Sequence, residues 1–403
     1  MKILIDQKDQ VLLGDPIHIH VKTEALESVY IYLRRYYFDG DIDYSFASYE
    51  PINGIVDTKT SKPLSGTYVK ADVSGLFWSQ ASTNMEYNPD IECLVELSED
   101  DKGYFILELI QNENHQVFKY EIIRELESVK MLELDDVPGR LYYPESKSTQ
   151  GVMIHVAGEA GIEGVEINAK LLAAKGIATL ALPICSYGSL KDNFSEVPLE
   201  TVLDAIDYVK TLEFIDEDRV GLIGGTRGAE LVLKIASIRN DLKLVVASNP
   251  CDVINQSVVK QLTWSKSSWT LANKPVAYSK IKKSELLKLY LRRIISHKNQ
   301  SMRIIYNHDV QMIDVGLITA KVMLLAGSKD DRWQSVYMAK RIKSTLDCKL
   351  NIYDSGQTLG GPGCLPTTSF EQLSFSLGGT PEENGIAQNQ SWHDLIDYIR
   401  TSL

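Results

Sequence analysis

Cysteine is scarce in this chain and shows none of the spacings that bind zinc or build a disulfide framework. The 403 residues include five cysteines, an odd number, and no CxxC pair. They are Cys93, Cys185, Cys251, Cys348 and Cys364. Secreted domains usually pair their cysteines in even numbers, whereas thiols stay reduced inside the cell. We therefore expect a cytoplasmic protein with free thiols.

An excess of positive charge and long apolar runs are also absent. The chain has 42 Lys and Arg residues against 54 Asp and Glu residues, a formal net charge of −12. That balance argues against nucleic acid or an anionic membrane as a main partner. No run reaches the roughly 18 apolar residues of a membrane span, and Met1–Gln7 lacks the apolar core of a signal peptide. We predict no membrane insertion, and no signal sets an oligomeric state.

Cofactor motifs are missing too. The sequence has no dinucleotide fingerprint, and the glycine-rich segment at 224–228 is too short for a phosphate loop and lacks its Lys-Ser/Thr ending. His18, His20 and His115 lie in or beside alternating runs, where a histidine on a strand face is the simpler interpretation than a metal ligand. We expect no metal and no organic cofactor.

Residues 1–130 have the pattern of an all-β domain. Short runs alternate apolar and polar residues, with turn residues between them. They cover Ile17–Val21, Val29–Leu33, Glu92–Leu97 and Tyr104–Leu109. Alternation with period two at this spacing predicts a β-sandwich.

From residue 131 onward the pattern changes to strands that alternate with helices. After a hairpin near Asp135–Pro144, apolar strands are predicted at Gly151–Val156, Ile177–Leu182, Val220–Ile223, Leu242–Ser248, Val322–Ala326 and Leu350–Tyr353. Helices are predicted at Val165–Lys175, Leu199–Thr211, Ala229–Ala236 and Trp392–Leu403. Buried strands that alternate with helices indicate an α/β domain with a mostly parallel, doubly wound sheet over residues 131–403.

The alternation breaks between residues 251 and 316. This segment holds Trp264, Trp269, basic residues at 280–283 and an apolar stretch around Leu286–Ile295. A long insertion between late strands of such a sheet often covers the pocket as a lid. An amphipathic helix on the surface explains the same residues, and the sequence leaves both interpretations open.

The most specific motif is a strand, a glycine-rich turn and a helix around Thr226. Val220–Ile223 leads into Gly224-Gly225-Thr226-Arg227-Gly228 and then into the helix. This is the pattern of the nucleophile elbow of α/β-hydrolases, with threonine in place of serine. The elbow needs a positive φ, which a β-branched residue tolerates poorly. Thr226 is thus the candidate nucleophile, held at a cost of ~1–3 kcal/mol.

An acyl-transfer site also needs an acid, a base and an oxyanion hole. Asp330, which follows the strand Val322–Ala326, is the expected acid, although an aspartate here also fits a helix cap. After the last strand a histidine is expected, but the chain has Gln357, and glutamine takes no proton at ordinary pH. His155 and His393 are the possible substitute bases.

The oxyanion hole is predicted from backbone groups. One donor is the N–H of Arg227, directly after the nucleophile. The second is expected from the loop that follows the strand Gly151–Val156, at Ala157 or Gly158. Backbone donors do not depend on the side chain. An enzyme that lacks a triad residue can still accelerate its reaction ~10³–10⁴-fold over water through the oxyanion hole and substrate binding.

Four segments in order resemble the family of acyl-CoA thioesterases and bile acid-CoA:amino acid N-acyltransferases. The resemblance covers nearly the whole chain and implies an immunoglobulin-like sandwich before an α/β-hydrolase domain. It also implies that Asp330 is the family's catalytic aspartate. The matching segments are Gly75–Trp78, Gly224–Glu230, Gly327–Trp333 and Gly378–Trp392.

The differences from the family fall on the chemistry. Thr226 stands where the family has Ser or Cys, and Gln357 stands where it has His. The leading interpretation is an acyl-thioester hydrolase or acyltransferase with a degenerate triad, acting on an acyl-CoA or a carrier-bound acyl group. Two alternatives remain: an inactive member that binds an acyl ligand or a protein partner, and a rewired ester or amide hydrolase.

Overall fold

The computed structural model describes residues 1–6, 9–82, 94–145, 149–158, 161–259, 262–280, 284, 312–369 and 376–403. The chain forms two compact units. The first contains Met1–Arg124, Pro362–Leu373 and Thr380–Gln390, and the second contains Glu125–Gly361, Ser374–Gly379 and Ser391–Leu403.

The first unit is built almost entirely from strands. They are β1 (Lys2–Ile5), β2 (Gln10–Leu12), β3 (Ile19–Lys22), β4 (Val29–Tyr36), β5 (Ile42–Tyr49), β6 (Ile55–Asp57), β7 (Ser65–Gly66), β8 (Ala81–Ser82), β9 (Tyr104–Gln111) and β10 (Asn114–Ile123). A short α-helix, α1 (Gly75–Trp78), and a turn of 3₁₀ helix at Glu99–Asp101 lie between them. A sheet of order β1-β3-β6 and a sheet of order β2-β10-β9-β4-β5-β7, with β8 paired to β5, share one apolar core. Nearly all pairings are antiparallel, as the alternating runs predict. The immunoglobulin-like assignment stays a prediction.

One predicted strand is wrong within the described residues. Residues 94–97 form no strand. Side chains take the backbone groups that a ladder would use: the buried carboxylate of Glu108 accepts the N–H of Val95 at 3.1 Å, and Arg34 donates to the carbonyl of Val95 at 2.9 Å. Alternation alone does not reveal such competition.

The second unit contains a sheet with helices on its faces. Its strands are β11 (Val129–Glu133), β12 (Arg140–Pro144), β13 (Gln150–Val156), β14 (Ala178–Leu182), β15 (Val197–Pro198), β16 (Ile215–Gly225), β17 (Leu244–Ser248), β18 (Gln256–Val259), β19 (Leu262–Ser267), β20 (Trp269–Leu271), β21 (Lys274–Pro275), β22 (Lys321–Gly327) and β23 (Lys349–Tyr353). Its helices are α2 (Glu163–Ala174), α3 (Glu200–Lys210), α4 (Arg227–Ala236) and α5 (Ser335–Thr345). The last helix, α6 (Pro381–Ser402), contributes residues to both units.

The eight-stranded sheet has the order β11-β12-β14-β13-β16-β17-β22-β23. The first two pairings are antiparallel and the remaining five are parallel. Strands β13, β14 and β17 are buried over almost their whole length, so they carry continuous apolar runs rather than alternation. The fold class is therefore an α/β-hydrolase-type sheet preceded by an all-β region.

The last helix begins eleven residues before the predicted start at Trp392. Pro381 occupies the first helical position, where its missing N–H costs nothing. Thr380 and Glu383 form a capping box: the Thr380 hydroxyl accepts the Glu383 N–H, and the Glu383 carboxylate accepts the Thr380 N–H. These signals were present in the sequence.

The described part of the insertion contains β18 to β21, of which β20 and β21 form a three-stranded sheet with β15. The predicted lid or surface helix around Leu286–Ile295 lies outside the described residues.

Candidate functional site

Thr226 lies in the sharp turn between β16 and α4. Its backbone has φ 51° and ψ −105°, the left-handed conformation that the elbow motif predicts. Two glycines permit the turn: a Cβ on Gly224 would lie 2.3 Å from the carbonyl oxygen of Gly228, and a Cβ on Gly228 would lie 3.1 Å from that of Val156. The Thr226 N–H donates to the carbonyl of Ser248 at 2.9 Å. The hydroxyl is therefore held on a fixed, strained backbone.

The strained backbone at Thr226 should lower the stability of the protein, although the proposed chemistry needs a hydroxyl at this position. Replacing Thr226 with glycine should stabilise the protein by about 1 kcal/mol, because glycine adopts positive φ without steric cost. Thr226→Ala keeps a Cβ and should gain less. Urea unfolding of both variants beside the wild type measures the difference, and a Thr226→Gly variant less stable than Thr226→Ala would contradict it.

Arg227 and Glu230, one turn apart on α4, form a buried ion pair beside the elbow. Arg227 Nη1 lies 3.1 Å from Glu230 Oε2, and Glu230 is fully buried. The Arg227 guanidinium also donates to the carbonyl of Gln256 at 2.9 Å and to the Ser268 hydroxyl. Burial raises the pKa of Glu230, while the Arg227 charge opposes that shift.

Glu230 binds the start of the insertion as well. Its carboxylate accepts the backbone N–H of Asn255 at 3.0 Å, the Asn255 amide at 2.5 Å and the Trp269 indole N–H at 2.6 Å. The pair thus ties the first turn of α4 to β18 and β20. The sequence does not reveal this network, because an Arg–Glu pair three residues apart on a helix has the same pattern whether it is exposed or buried.

Two backbone N–H groups are relevant to the oxyanion hole. The N–H of Arg227 is at the first position of α4, where helical N–H groups have no partner within the helix. The N–H of Ala157 donates to the carbonyl of Leu182 at 2.9 Å, which occupies it. Of the two alternatives, Ala157 is therefore not free to donate to an oxyanion, and Gly158 stays a prediction. The close approach of Gly228 to Val156 brings the loop against α4.

Asp330 caps the turn after β22, and its role as the acid stays a prediction. It is 5% exposed, and its Oδ1 accepts the N–H groups of Arg332 at 2.8 Å and Trp333 at 2.9 Å, as in a cap. Its Oδ2 has no hydrogen-bond partner within the described residues. Burial raises the pKa of this carboxyl, while the N–H groups of Trp333 and Arg332, the nearby Ser335 hydroxyl and the Arg332 charge oppose the shift. The neighbouring Asp331 instead accepts the Ser376 hydroxyl at 2.8 Å.

Gln357 follows β23, on the segment next to Asp330. The N–H of Lys329 donates to the carbonyl of Ser355 at 2.9 Å, and a Cβ on Gly327 would lie 2.2 Å from the carbonyl oxygen of Gly356. The Gln357 side-chain nitrogen, Nε2, is buried and has no partner in the described part of the chain. The chain thus brings Thr226, Asp330 and Gln357 to the carboxyl ends of β16, β22 and β23.

The two substitute bases lie elsewhere. His155 pairs with Ile223 on β16, three residues before Thr226, a distance of roughly 10 Å along a strand. Burial lowers its pKa to about 4, so it is a weak base. His393 lies on α6 with its side chain exposed. Neither position supports proton transfer from Thr226.

Asn249, directly after β17, is a site residue that the sequence analysis missed. It is 3% exposed and has φ 47°, which asparagine tolerates better than most residues. Its Oδ1 is buried without a hydrogen-bond partner in the described residues. The rule that identified Asp330, a polar residue just past a strand end, would have found Asn249.

Within the described residues, no group of three or more His, Cys, Asp or Glu side chains is arranged to hold a metal ion. In the same part of the chain, no helix combines the length and apolarity needed to cross a membrane.

Comparison with known proteins gives matches over both units. Residues 14–124 match the family model "Acyl-CoA thioester hydrolase/BAAT N-terminal region", and residues 197–403 match "BAAT / Acyl-CoA thioester hydrolase C terminal". Acyl-coenzyme A amino acid N-acyltransferase 1 of Mus musculus is 24% identical over 280 residues, 66% of this chain and 63% of the relative. Acyl-coenzyme A thioesterase 1 of the same species is 21% identical over 59% of this chain and 57% of its own length. These alignments span less than two thirds of either relative.

Among solved structures, a putative dienelactone hydrolase from Klebsiella pneumoniae covers 68% of this chain and 98% of its own, at 15% identity and a TM-score of 0.42. The family models carry the assignment, since the second alone covers more than half of the sequence. This chain belongs to the family of acyl-CoA thioester hydrolases and bile acid-CoA:amino acid N-acyltransferases.

Proposed function

We propose that this protein acts on acyl thioesters, as a hydrolase or acyltransferase with Thr226 as the nucleophile. Its substrate is an acyl-CoA or a carrier-bound acyl group. Asp330 and Gln357 complete a degenerate triad, and the N–H groups of Arg227 and Gly158 stabilise the oxyanion. A cytoplasmic location is part of the same proposal.

The observation that carries the proposal is the elbow itself. Thr226 has φ 51°, so its hydroxyl is presented at the end of β16 beside the first N–H of α4. A tetrahedral intermediate formed on Thr226 Oγ would place its oxyanion beside these N–H groups. In many acyl-transfer enzymes, stabilisation of the oxyanion by such groups contributes more to the rate than any other single effect.

The leaving group explains why a thioester fits this site better than an amide. A thiol has a pKa near that of cysteine, about 8.5, so it leaves as a thiolate without a proton from the enzyme. An amine leaving group needs that proton, which histidine supplies in ordinary triads. Gln357 cannot supply it, so slow turnover of thioesters is the expected activity.

The second candidate is an acyl-binding protein without turnover. It is favoured by the positions of His155, buried on β13, and His393, exposed on α6. No histidine lies near Thr226 in the described residues. In this second candidate the acyl ligand would bind, but Thr226 would not form a covalent bond with it.

Thr226→Ala separates the two candidates. We expect the wild type to release free thiol from acyl-CoAs of suitable chain length, and Thr226→Ala to lose at least about 100-fold in rate, because the acyl-enzyme cannot form. A panel of short, medium and long acyl-CoAs and intact-protein mass spectrometry of a quenched reaction check both points.

An acyl adduct that is present in the wild type and absent in Thr226→Ala supports the nucleophile. Equal traces of thiol release in both proteins, with acyl-CoA binding retained, would support the binding protein instead. Thermal unfolding of Thr226→Ala controls for folding.

A further inference from the structure

Three buried side-chain atoms at one edge of the sheet have no hydrogen-bond partner within the described residues. They are Asn249 Oδ1, Asp330 Oδ2 and Gln357 Nε2. Buried polar atoms are almost always paired, because an unpaired one loses its hydrogen bonds to water without replacement. Three together, beside a nucleophile that lacks a base, call for a chemical explanation.

The backbone places these residues in one row. They follow β17, β22 and β23, which are consecutive strands beside the Thr226 strand, β16. Thr226 N–H binds the carbonyl of Ser248, the residue before Asn249, and Asn249 N–H binds the carbonyl of Leu325 on β22 at 2.7 Å. The carboxyl ends of parallel strands meet at one edge of a sheet, so all four side chains arise from the same edge.

The three atoms match the hydrogen-bonding capacity of one water molecule. Water donates two hydrogen bonds and accepts two, and buried waters typically make about three bonds to otherwise unsatisfied groups. Asn249 Oδ1 and Asp330 Oδ2 are acceptors, and Gln357 Nε2 is a donor. A water that donates to the first two and accepts from the third keeps one lone pair for the Thr226 hydroxyl.

We propose that a water held by Asn249, Asp330 and Gln357 relays the Thr226 proton to Asp330, which makes Asp330 the general base of this protein. The inference rests on the proposed function and assigns the general base, which the proposed function leaves open. Gln357 and Asn249 are positioning residues that act through the water.

Thr226 Oγ attacks the thioester carbonyl carbon while its proton passes to the water, and the water passes one of its own protons to Asp330 Oδ2. The C–S bond then breaks and the electron pair leaves with the thiolate. As the thiolate departs, Asp330 releases its proton to solvent and is a carboxylate again. In deacylation, a second water (or an amine acceptor) attacks the carbonyl carbon of the acyl-threonine ester, and its proton passes along the relay to Asp330 Oδ2. The bond between the acyl carbon and Thr226 Oγ then breaks, and Thr226 Oγ takes this proton back through the relay.

The surroundings of Asp330 suit this role. Burial raises the pKa of its carboxyl, which makes the carboxylate a stronger base than an exposed aspartate. Oδ1 is fixed by two backbone N–H groups, so the side chain presents Oδ2 in one orientation.

A proton inventory tests the relay directly. We expect the single-turnover rate of Thr226 acylation, measured against the mole fraction of D₂O, to follow a bowed curve, because two protons move together. In Gln357→His, where an imidazole takes the proton directly, the curve should become linear. A merely structural role of Asp330 would not change the shape of this curve. A linear curve in the wild type overturns the inference.

Matched variants test the residues. Asp330→Asn keeps the shape and the cap but removes the base, and should slow acylation by about 10²–10⁴-fold. Asp331→Asn, which alters the adjacent carboxylate, should stay near the wild-type rate. Asn249→Gly suits the positive φ and should cost roughly tenfold, about one hydrogen bond, while Asn249→Asp keeps an acceptor and should recover part of the loss.

The outcomes distinguish the two proposals. If Asp330→Asn, shown to be folded by its thermal unfolding, acylates Thr226 within threefold of the wild-type rate, the relay is wrong and the proposed function stands. If the wild type forms no acyl-Thr226 adduct and releases no more thiol than Thr226→Ala, both fail.

Discussion

Replacing Gln357 with histidine should raise the rate of thiol release from acyl-CoAs by about 10²–10⁴-fold. The resemblance to the family predicts a histidine at position 357, beside the segment that carries Asp330, whose Oδ2 has no partner in the described residues. An imidazole there would donate one N–H to that oxygen and accept the Thr226 proton at its other nitrogen, as a general base. The variant should need no other change in the fold, because Asp330 and the elbow are already in place.

The gain should depend on pH and on Asp330. A histidine acts as a base only when neutral, so the rate should rise with pH through about 6.5, its ordinary pKa. Adding Asp330→Asn to Gln357→His should remove most of the gain, because the carboxylate orients the imidazole and stabilises its charged form. Steady-state kinetics of the single and double variants give the answer. A Gln357→His variant that folds, binds acyl-CoA and shows no gain would mean that Thr226 is not placed to attack.

Much of the fold and part of the candidate site can be predicted from the sequence alone. The sheet and the elbow follow from patterns that depend only on neighbouring residues: buried apolar runs, and glycines where the chain turns sharply at Thr226. The strand predicted over 94–97 failed because the side chain of Glu108, distant in sequence, binds the backbone of Val95. The sequence predicts Ala157 as one of two possible oxyanion donors, but its N–H donates to the carbonyl of Leu182 at the end of β14. Partners of this kind come from tertiary packing, which a local pattern does not encode.

Asn249 was missed for a different reason. The family's triad directs attention to three strand ends, whereas the sheet order places β17 between the strands of Thr226 and Asp330. Once the order is known, the polar residue after β17 belongs to the same edge. The proposed water relay gives this fourth position a role, and a comparison of motifs alone does not suggest it.

The buried pair beside the elbow leads to the largest expected loss of stability. Glu230→Ala should lower the free energy of unfolding by about 3–5 kcal/mol, because it leaves the Arg227 charge buried without its counter-ion. The indole of Trp269 and the N–H of Asn255 lose their acceptor as well. Domains are stable by only ~5–15 kcal/mol, so the unfolding midpoint should fall by roughly 10 °C.

A double-mutant cycle separates the pair from the rest of the network. Glu230→Gln keeps an acceptor for Trp269 and removes the charge, so it should cost less than Glu230→Ala. Arg227→Met removes the stranded cation, and the double variant Arg227→Met/Glu230→Gln should be more stable than the sum of the single losses predicts. Strictly additive losses in urea unfolding would show that the two charges do not stabilise each other. A positive coupling would mean that the two charges stabilise each other within the first turn of α4, the turn that carries the Arg227 N–H of the proposed oxyanion hole.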